Sequence, residues 1–329
     1  MSWLSKKMRS KNFASRAVET TRAFLGAGRS HHVCFFIPEA SRGWILEAAM
    51  LEIASRYDGI YSVCTDFEQL PKAADSFYFV HYHFYLHALA MHSWLADKNN
   101  VVWFTHPKDK DLGGEAAREN LRNAVVVTMC SKWRSYLLQQ GLHANRVETI
   151  IGGADPNMFR PHQRRGGKVG FCTAFYDRKH PERILELVKE LPGLEFVLLG
   201  RNWEQYSRFG ELVALENFEY RVADYSEYPA FYGELDVFVS VSELEGGPIP
   251  LLEAMMANVV PVASDTGFAP DLIQHGVNGY TFSASSATMQ DVAVLVELAI
   301  SNRANIRNSV LQYDWDNYAS RHHELLRAS

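Results

Sequence analysis

Glu245-Gly246-Gly247-Pro248-Ile249-Pro250-Leu251-Leu252-Glu253-Ala254-Met255 is the stretch on which the reading of this chain turns. It follows an apolar run, 235–241, whose β-branched and aromatic residues suit a buried parallel strand. A helix is expected over 251–257, then a left-handed stop at Asn258 and another strand to Ser264. The order strand, glycine loop, helix, strand is an α/β unit with its loop at the carboxyl end of a strand, the end where open α/β sheets bind ligands. Bare backbone N–H groups beside a helix N-terminus suit a phosphate. Glu245 and Glu253, eight residues apart, offer acceptors for sugar hydroxyls, so the stretch points to an enzyme that holds a nucleotide-activated sugar. The plainer alternative is a glycine-rich turn with two surface glutamates.

Outward from this unit the chain alternates strands and helices. Strands are expected at 33–37, 60–64, 77–82, 100–105, 124–129 and 147–151, and helices at 45–57, 85–96, 114–123 and 131–141. Residues 152–168 hold four glycines, two prolines and a basic pair, and read as a linker. A second alternation follows, with strands at 169–173, 194–199 and 218–222 and helices at 180–191, 228–233, 289–301 and 304–311. A last helix starts near Trp315. Two α/β domains with a cleft between them are the simplest architecture for 329 residues.

Composition narrows the class. The chain is 47% hydrophobic and 22% charged, as a folded protein should be, and its formal charge of −5 argues against nucleic acid as the main partner. No run approaches the roughly 18 apolar residues of a membrane span, and the basic start lacks the apolar core of a signal peptide. Cys34, Cys64, Cys130 and Cys172 lie in or beside expected strands and read as free thiols in a reducing, cytoplasmic setting. Residues 1–30 carry seven basic residues against Glu19 alone, with apolar residues interspersed. They fit an amphipathic helix at an anionic membrane surface or a helix packed on the body with a solvated basic face.

With these residues in hand, the chain resembles the retaining glycosyltransferases of family 4. Ser242-Glu243-Leu244-Glu245-Gly246-Gly247-Pro248-Ile249-Pro250-Leu251-Leu252-Glu253-Ala254-Met255 is similar to that family's C-terminal signature, and the likeness continues through Pro261 to Gly267 and Gly276 to Tyr280. Asp155 to Pro161, with Phe159, resembles the family's inter-domain crossing, and Trp315 the aromatic near its return helix. The resemblance implies two Rossmann-like domains facing a central cleft, the GT-B type, with a C-terminal helix returning toward the first domain. The expected division is 1–160 on the acceptor side, 161–305 for the nucleotide sugar and 306–329 as the return.

Roles follow from the resemblance. It implies that Glu245 contacts the donor sugar and Glu253 the ribose hydroxyls, with Gly246, Gly247, Pro248 and Leu252 lining the donor. Lys179 matches the family's diphosphate lysine, while the family's arginine position falls on Ala174. Arg178 and Arg201 are further cationic candidates, although neighbours on a helix such as Arg178 and Lys179 should point apart. Gly43 sits in the first strand–helix loop, where the family brings backbone close to donor phosphate, and Trp44 beside it suits acceptor stacking or packing. His106 matches a histidine that touches the sugar. The stretch 219–228 is expected to border the base. His81, His83 and His87 lack a carboxylate to complete a metal set, and no metal or other cofactor is expected. Asp109 and Asp111, near Lys108 and Lys110, read as a loop beside the acceptor or as solvated charge.

The implied activity is transfer of a hexose, with retention, from a nucleoside diphosphate sugar to a hydroxyl of a glycan or glycolipid in surface polysaccharide synthesis. Uridine diphosphate sugars are favoured, with guanosine diphosphate mannose as the alternative donor. A scaffold that binds sugar nucleotides without turnover is a second reading, and a phosphorylase or epimerase of similar fold a third.

Overall fold

The computed structural model describes residues 31–43, 45–107, 115–164 and 166–328. The basic segment 1–30, Trp44 and the charged loop with Asp109 and Asp111 lie outside them. The chain divides into two compact units, one running to Ile151 and resuming at Trp315, the other Gly152–Asp314.

The first unit is a six-stranded parallel sheet in the order β2-β1-β3-β4-β5-β6. Its strands are β1 (His32–Phe36), β2 (Ile60–Cys64), β3 (Ser76–Phe79), β4 (Asn99–Phe104), β5 (Val125–Thr128) and β6 (Val147–Thr149). β3 and β5 are buried along their whole length, and β1 and β4 after their first residue, which explains their near-continuous apolar sequences. Between them run α1 (Ile45–Ser55), α2 (Tyr82–Met91), α3 (Glu115–Leu121) and α4 (Ser131–Gln139). The strand expected over 77–82 stops at Phe79, because the His81 imidazole accepts from the His83 N–H at 3.3 Å and caps α2.

The second unit repeats the plan with β7 (Lys168–Cys172), β8 (Glu195–Leu199), β9 (Phe218–Arg221), β10 (Val237–Ser240), β11 (Val260–Ser264) and β12 (Tyr280–Phe282). All pair in parallel in the order β9-β8-β7-β10-β11-β12. Its helices are α5 (Pro181–Glu190), α6 (Phe209–Val213), α7 (Tyr228–Tyr232), α8 (Ile249–Met256), α9 (Ala269–Leu272) and α10 (Met289–Ser301). α5 starts at a proline and buries Ile184, Leu185, Leu187 and Val188. Both sheets are of the Rossmann-like kind expected.

Asn258 takes the left-handed conformation (φ 68°) between α8 and β11, and its side-chain oxygen accepts from the Ile306 N–H at 2.9 Å. That bond accounts for a departure from expectation: 304–311 forms only a 3₁₀ turn, Arg307–Ser309, rather than a helix. The turn directs Arg307 onto the carbonyls of Pro156 (2.7 Å), Phe159 and Met256, tying the start of the unit to the end of α8. Ala154 N–H donates to the Tyr313 carbonyl at 3.0 Å, so the first and last segments of this unit run side by side.

The chain ends in α11 (Trp315–Arg327), which returns to the first unit as the resemblance implied. His323 Nε2 meets the Ile53 carbonyl at 2.8 Å, and Ser76 and Asn99 donate to the carbonyl of Leu326 at 2.7 and 3.1 Å.

Candidate functional site

In the second sheet the strand order reverses between β7 and β10, and an open α/β sheet binds ligands outside the carboxyl ends of its strands at such a point. The loop after β7 makes a 3₁₀ turn, Asp177–Lys179, closed by His180 in the left-handed conformation (φ 51°) before α5 begins. The loop after β10 carries Glu245. Backbone joins the two loops, the Glu243 N–H donating to the Arg178 carbonyl at 3.0 Å.

Side chains join them more strongly. Lys179 donates to Glu245 Oε1, and Arg178 reaches Glu245 Oε2 at 3.5 Å and the Leu244 carbonyl at 2.8 Å. Arg178 and Lys179, expected to point apart, converge because they occupy a 3₁₀ turn rather than a helix flank. Glu245 is only 6% exposed. Burial pushes its carboxyl up, yet the charges of Lys179 and Arg178, with a bond from Ser242, outweigh this and hold it below its ordinary value. The loop is pinned from β11 as well, the Ser264 hydroxyl donating to the Ser242 carbonyl at 2.6 Å. Gly267 lies against it at φ 55°, where a Cβ would come within 2.7 Å of Pro248 Cδ and 2.9 Å of Glu245 Cβ. Only glycine fits there.

Glu253 has the opposite environment. It projects from α8 with 2% exposure. Among the described residues its carboxylate meets no cation at hydrogen-bond distance and accepts instead from the Tyr225 hydroxyl at 2.5 Å and the Tyr232 hydroxyl at 2.9 Å. Burial dominates, pushing the carboxyl up to about 7 against the lowering effect of the two phenols. Cys172, on β7 in the same cluster, is pushed up to about 12, by burial first and then by the charge of Glu253.

The remaining expected site residues are placed as follows. Gly246, Gly247 and Pro248 lead from Glu245 into α8, with Pro248 at its N-cap. The Leu252 side chain is wholly inside the core, which leaves only its backbone for a ligand. Arg201 is exposed after β8, near enough to Tyr228 to act on its phenol, and Ala174 follows β7 without a charge. In the first unit, Gly43 (φ 83°) donates its N–H to Glu47 at 2.6 Å, so a buried carboxylate holds the backbone that the resemblance assigns to phosphate. Half-buried His106 follows β4, with its Nδ1 2.9 Å from the Thr105 hydroxyl. Among the described residues, no group of three His, Cys, Asp or Glu side chains is placed to hold a metal ion. Nor is any described helix long and apolar enough to cross a membrane.

Tyr232 and Glu47 had no role in the sequence reading, Gly267 entered it only as the end of a matched stretch, and Tyr225 only within 219–228. For Tyr225 a signal existed. Asp224 and Glu227 make a capping box, a pattern that fixes a turn in the stretch expected to border the base.

Residues 160–319 match the family model described as glycosyl transferases group 1. No curated protein matches the chain. Among solved structures, Anabaena Alr3699/HepE in complex with UDP-glucose aligns with a TM-score of 0.71 at 16% identity, over 91% of this chain and 99% of that one. A glycosyltransferase from Rickettsia africae ESF-5 gives 0.72 at 12% identity, over 92% and 100%. The lipopolysaccharide outer core galactosyltransferase WaaB gives 0.69 at 13%, over 89% and 98%. At such identities the likeness is one of fold, the GT-B arrangement of two Rossmann-like sheets.

The Glu253 environment has a consequence for stability. A carboxyl raised from 4.5 to about 7 binds its proton more tightly folded than unfolded, so its contribution is full below about pH 4.5 and lost as pH rises toward 7. The loss is on the order of 3 kcal/mol. Buried His322, pushed down to about 4, acts in the other direction, its penalty fading as pH rises toward 6.5. Comparing urea unfolding of wild type and Glu253→Gln across this range isolates the glutamate. The wild type should lose stability relative to the variant as pH rises; parallel curves would remove the buried, uncharged-favouring environment assigned to Glu253.

Proposed function

We propose that the chain is a GT-B glycosyltransferase that moves a hexose from a uridine diphosphate sugar to a hydroxyl acceptor with retention, in the manner of the family 4 enzymes it resembles. The observation that carries this reading is the convergence of Lys179, Arg178 and Glu245 at the switch point of the second sheet, with Glu253 on the helix that leads from the same loop. A leaving diphosphate needs positive charge, and Lys179 with Arg178 supplies it from protein groups alone. Glu245 keeps both cations in place and borders the sugar, with Gly246, Gly247 and Pro248 along the diphosphate. Glu253 takes the ribose hydroxyls, charged acceptors being roughly twice as strong as neutral ones. On this reading the second unit holds the nucleotide sugar, and the first brings the acceptor and His106 to it.

Chemically, the bond from C1 of the sugar to the phosphate oxygen breaks as the acceptor oxygen attacks C1 from the same face. The departing phosphate oxygen takes the acceptor's proton. The match of residues 160–319 to glycosyl transferases group 1 supports the class of reaction, and the fold shared with the UDP-glucose complex of HepE supports a uridine diphosphate donor. Guanosine diphosphate mannose is the alternative donor. A binding protein without turnover is favoured by one feature, the uncharged Ala174 at the position where the resemblance expects an arginine.

A panel of nucleotide sugars and glycan or glycolipid acceptors, with the product anomer read by NMR, tests the reading. Retained linkage is expected; inversion, or nucleotide binding without transfer or donor hydrolysis, would overturn it. Glu253→Gln should raise the donor KM by roughly tenfold to thirtyfold, the equivalent of about 2 kcal/mol. Glu245→Gln, closer to the reacting carbon, should lower kcat more than donor affinity. Near-native kinetics in both folded variants would remove the site.

The basic segment 1–30 would hold the enzyme at the cytoplasmic face of an anionic membrane, close to a lipid-linked acceptor. Vesicle flotation should then show binding at low salt that is lost at high salt. Failure to float at low salt would leave no membrane role.

A further inference from the structure

The two tyrosines on Glu253 differ in burial. Tyr232 lies on α7 with no exposed surface, its ring edge-on to Phe159 at 5.5 Å and tilted against Phe238 at 6.1 Å. Its bond to Oε2 is part of the core. Tyr225 opens the 3₁₀ turn Tyr225–Glu227 after β9 and is half-buried, its ring 5.0 Å from Tyr228 and 6.1 Å from Phe159. The turn itself is fixed, Asp224 N–H donating to Glu227 at 3.0 Å, so an exchange at Glu253 would move the half-buried phenol rather than the backbone. Glu253 has almost no surface of its own. Of its two partners only Tyr225 meets water, so a hydroxyl coming from solvent to Oε1 arrives where that phenol lies.

We propose that Tyr225 is a latch over the ribose position: its phenol holds Glu253 Oε1 as a ribose hydroxyl would, and a ribonucleotide binds fully only when the latch swings aside. This rests on the reading of Glu253 as the ribose acceptor. A phenol and a secondary hydroxyl are each single O–H donors; a carboxylate oxygen can accept two bonds, but burial leaves Oε1 approachable only from the side that the phenol already occupies, and there the two compete. The phenol is already tethered and gives up no translational freedom to bind, so the closed form is favoured. The apparent dissociation constant is then the intrinsic one divided by the open fraction. A nucleotide without ribose hydroxyls has nothing to exchange for the phenol and leaves the latch closed. Tyr225 thereby sets how strongly the site prefers a ribose diol, a property of this chain's own tyrosine rather than of the glutamate.

Calorimetric titration of the full chain with uridine diphosphate and with 2′,3′-dideoxyuridine diphosphate tests this, using wild type, Tyr225→Phe and Glu253→Gln. Titrations run upward from about pH 8.5 until affinity no longer changes, so that the carboxyl, raised further where the Tyr225 bond is lost, is ionised in both wild type and Tyr225→Phe. With Tyr225 open a tenth of the time, Tyr225→Phe should bind uridine diphosphate about tenfold more tightly and the dideoxy analogue with unchanged affinity. Equal or weaker uridine diphosphate binding by Tyr225→Phe, while Glu253→Gln binds it poorly, would overturn the latch and leave the ribose reading standing. Uridine diphosphate affinity untouched by Glu253→Gln, or no binding by any of the three proteins, would overturn the ribose reading and the latch with it. Thermal melts of the three proteins confirm that each is folded.

Discussion

The candidate site depends on a buried carboxylate that cannot be left alone. Glu245 is nearly out of solvent at the end of β10, and an unpaired charge there would be prohibitive. Lys179 and Arg178 answer it from the neighbouring strand's loop, and in doing so they join the ends of β7 and β10 at the place where the strand order reverses. The same contact that neutralises the glutamate collects two cations on one side of the second sheet. Packing enforces it. Gly267 presses on Glu245 and Pro248 with no space for a methyl group, and Ser264 ties the loop back to β11.

Eight residues on, the second glutamate is handled differently. Among the described residues Glu253 meets two phenols and no cation at hydrogen-bond distance, so burial dominates and its carboxyl is raised where that of Glu245 is lowered. One short segment therefore presents a firmly ionised carboxylate committed to cations and another whose oxygens are shared with hydroxyl donors. That division matches the two jobs of a nucleotide-sugar site, charge at the diphosphate and hydroxyl recognition at the ribose.

Much of this was legible in the residues. The apolar strands, the proline start of α5 and the Asn258 stop are local signals, and each is where its chemistry places it. Elements set by distant partners were harder to read. The 304–311 segment has the composition of a helix but is held as a turn by Asn258 and by the reach of Arg307 to three carbonyls. Arg178 would point away from Lys179 on a helix, and only the 3₁₀ turn brings both to Glu245. The partners of Glu253 are distant in the same way, Tyr232 and Tyr225 lying 21 and 28 residues from it, whereas Glu47 is local to the Gly43 N–H but carries no motif that marks it as the acceptor.

On the proposed function, the paired cations of the β7 loop receive a diphosphate. Calorimetric affinities of uridine diphosphate and uridine monophosphate, for wild type and Lys179→Gln, test it most directly, since Arg178 still neutralises Glu245 in that variant. The diphosphate should bind wild type at least about tenfold more tightly than the monophosphate, the second phosphate meeting a charge-assisted donor, and the advantage should collapse in the variant. Equal affinities in wild type, or an advantage that survives loss of the lysine, would contradict it.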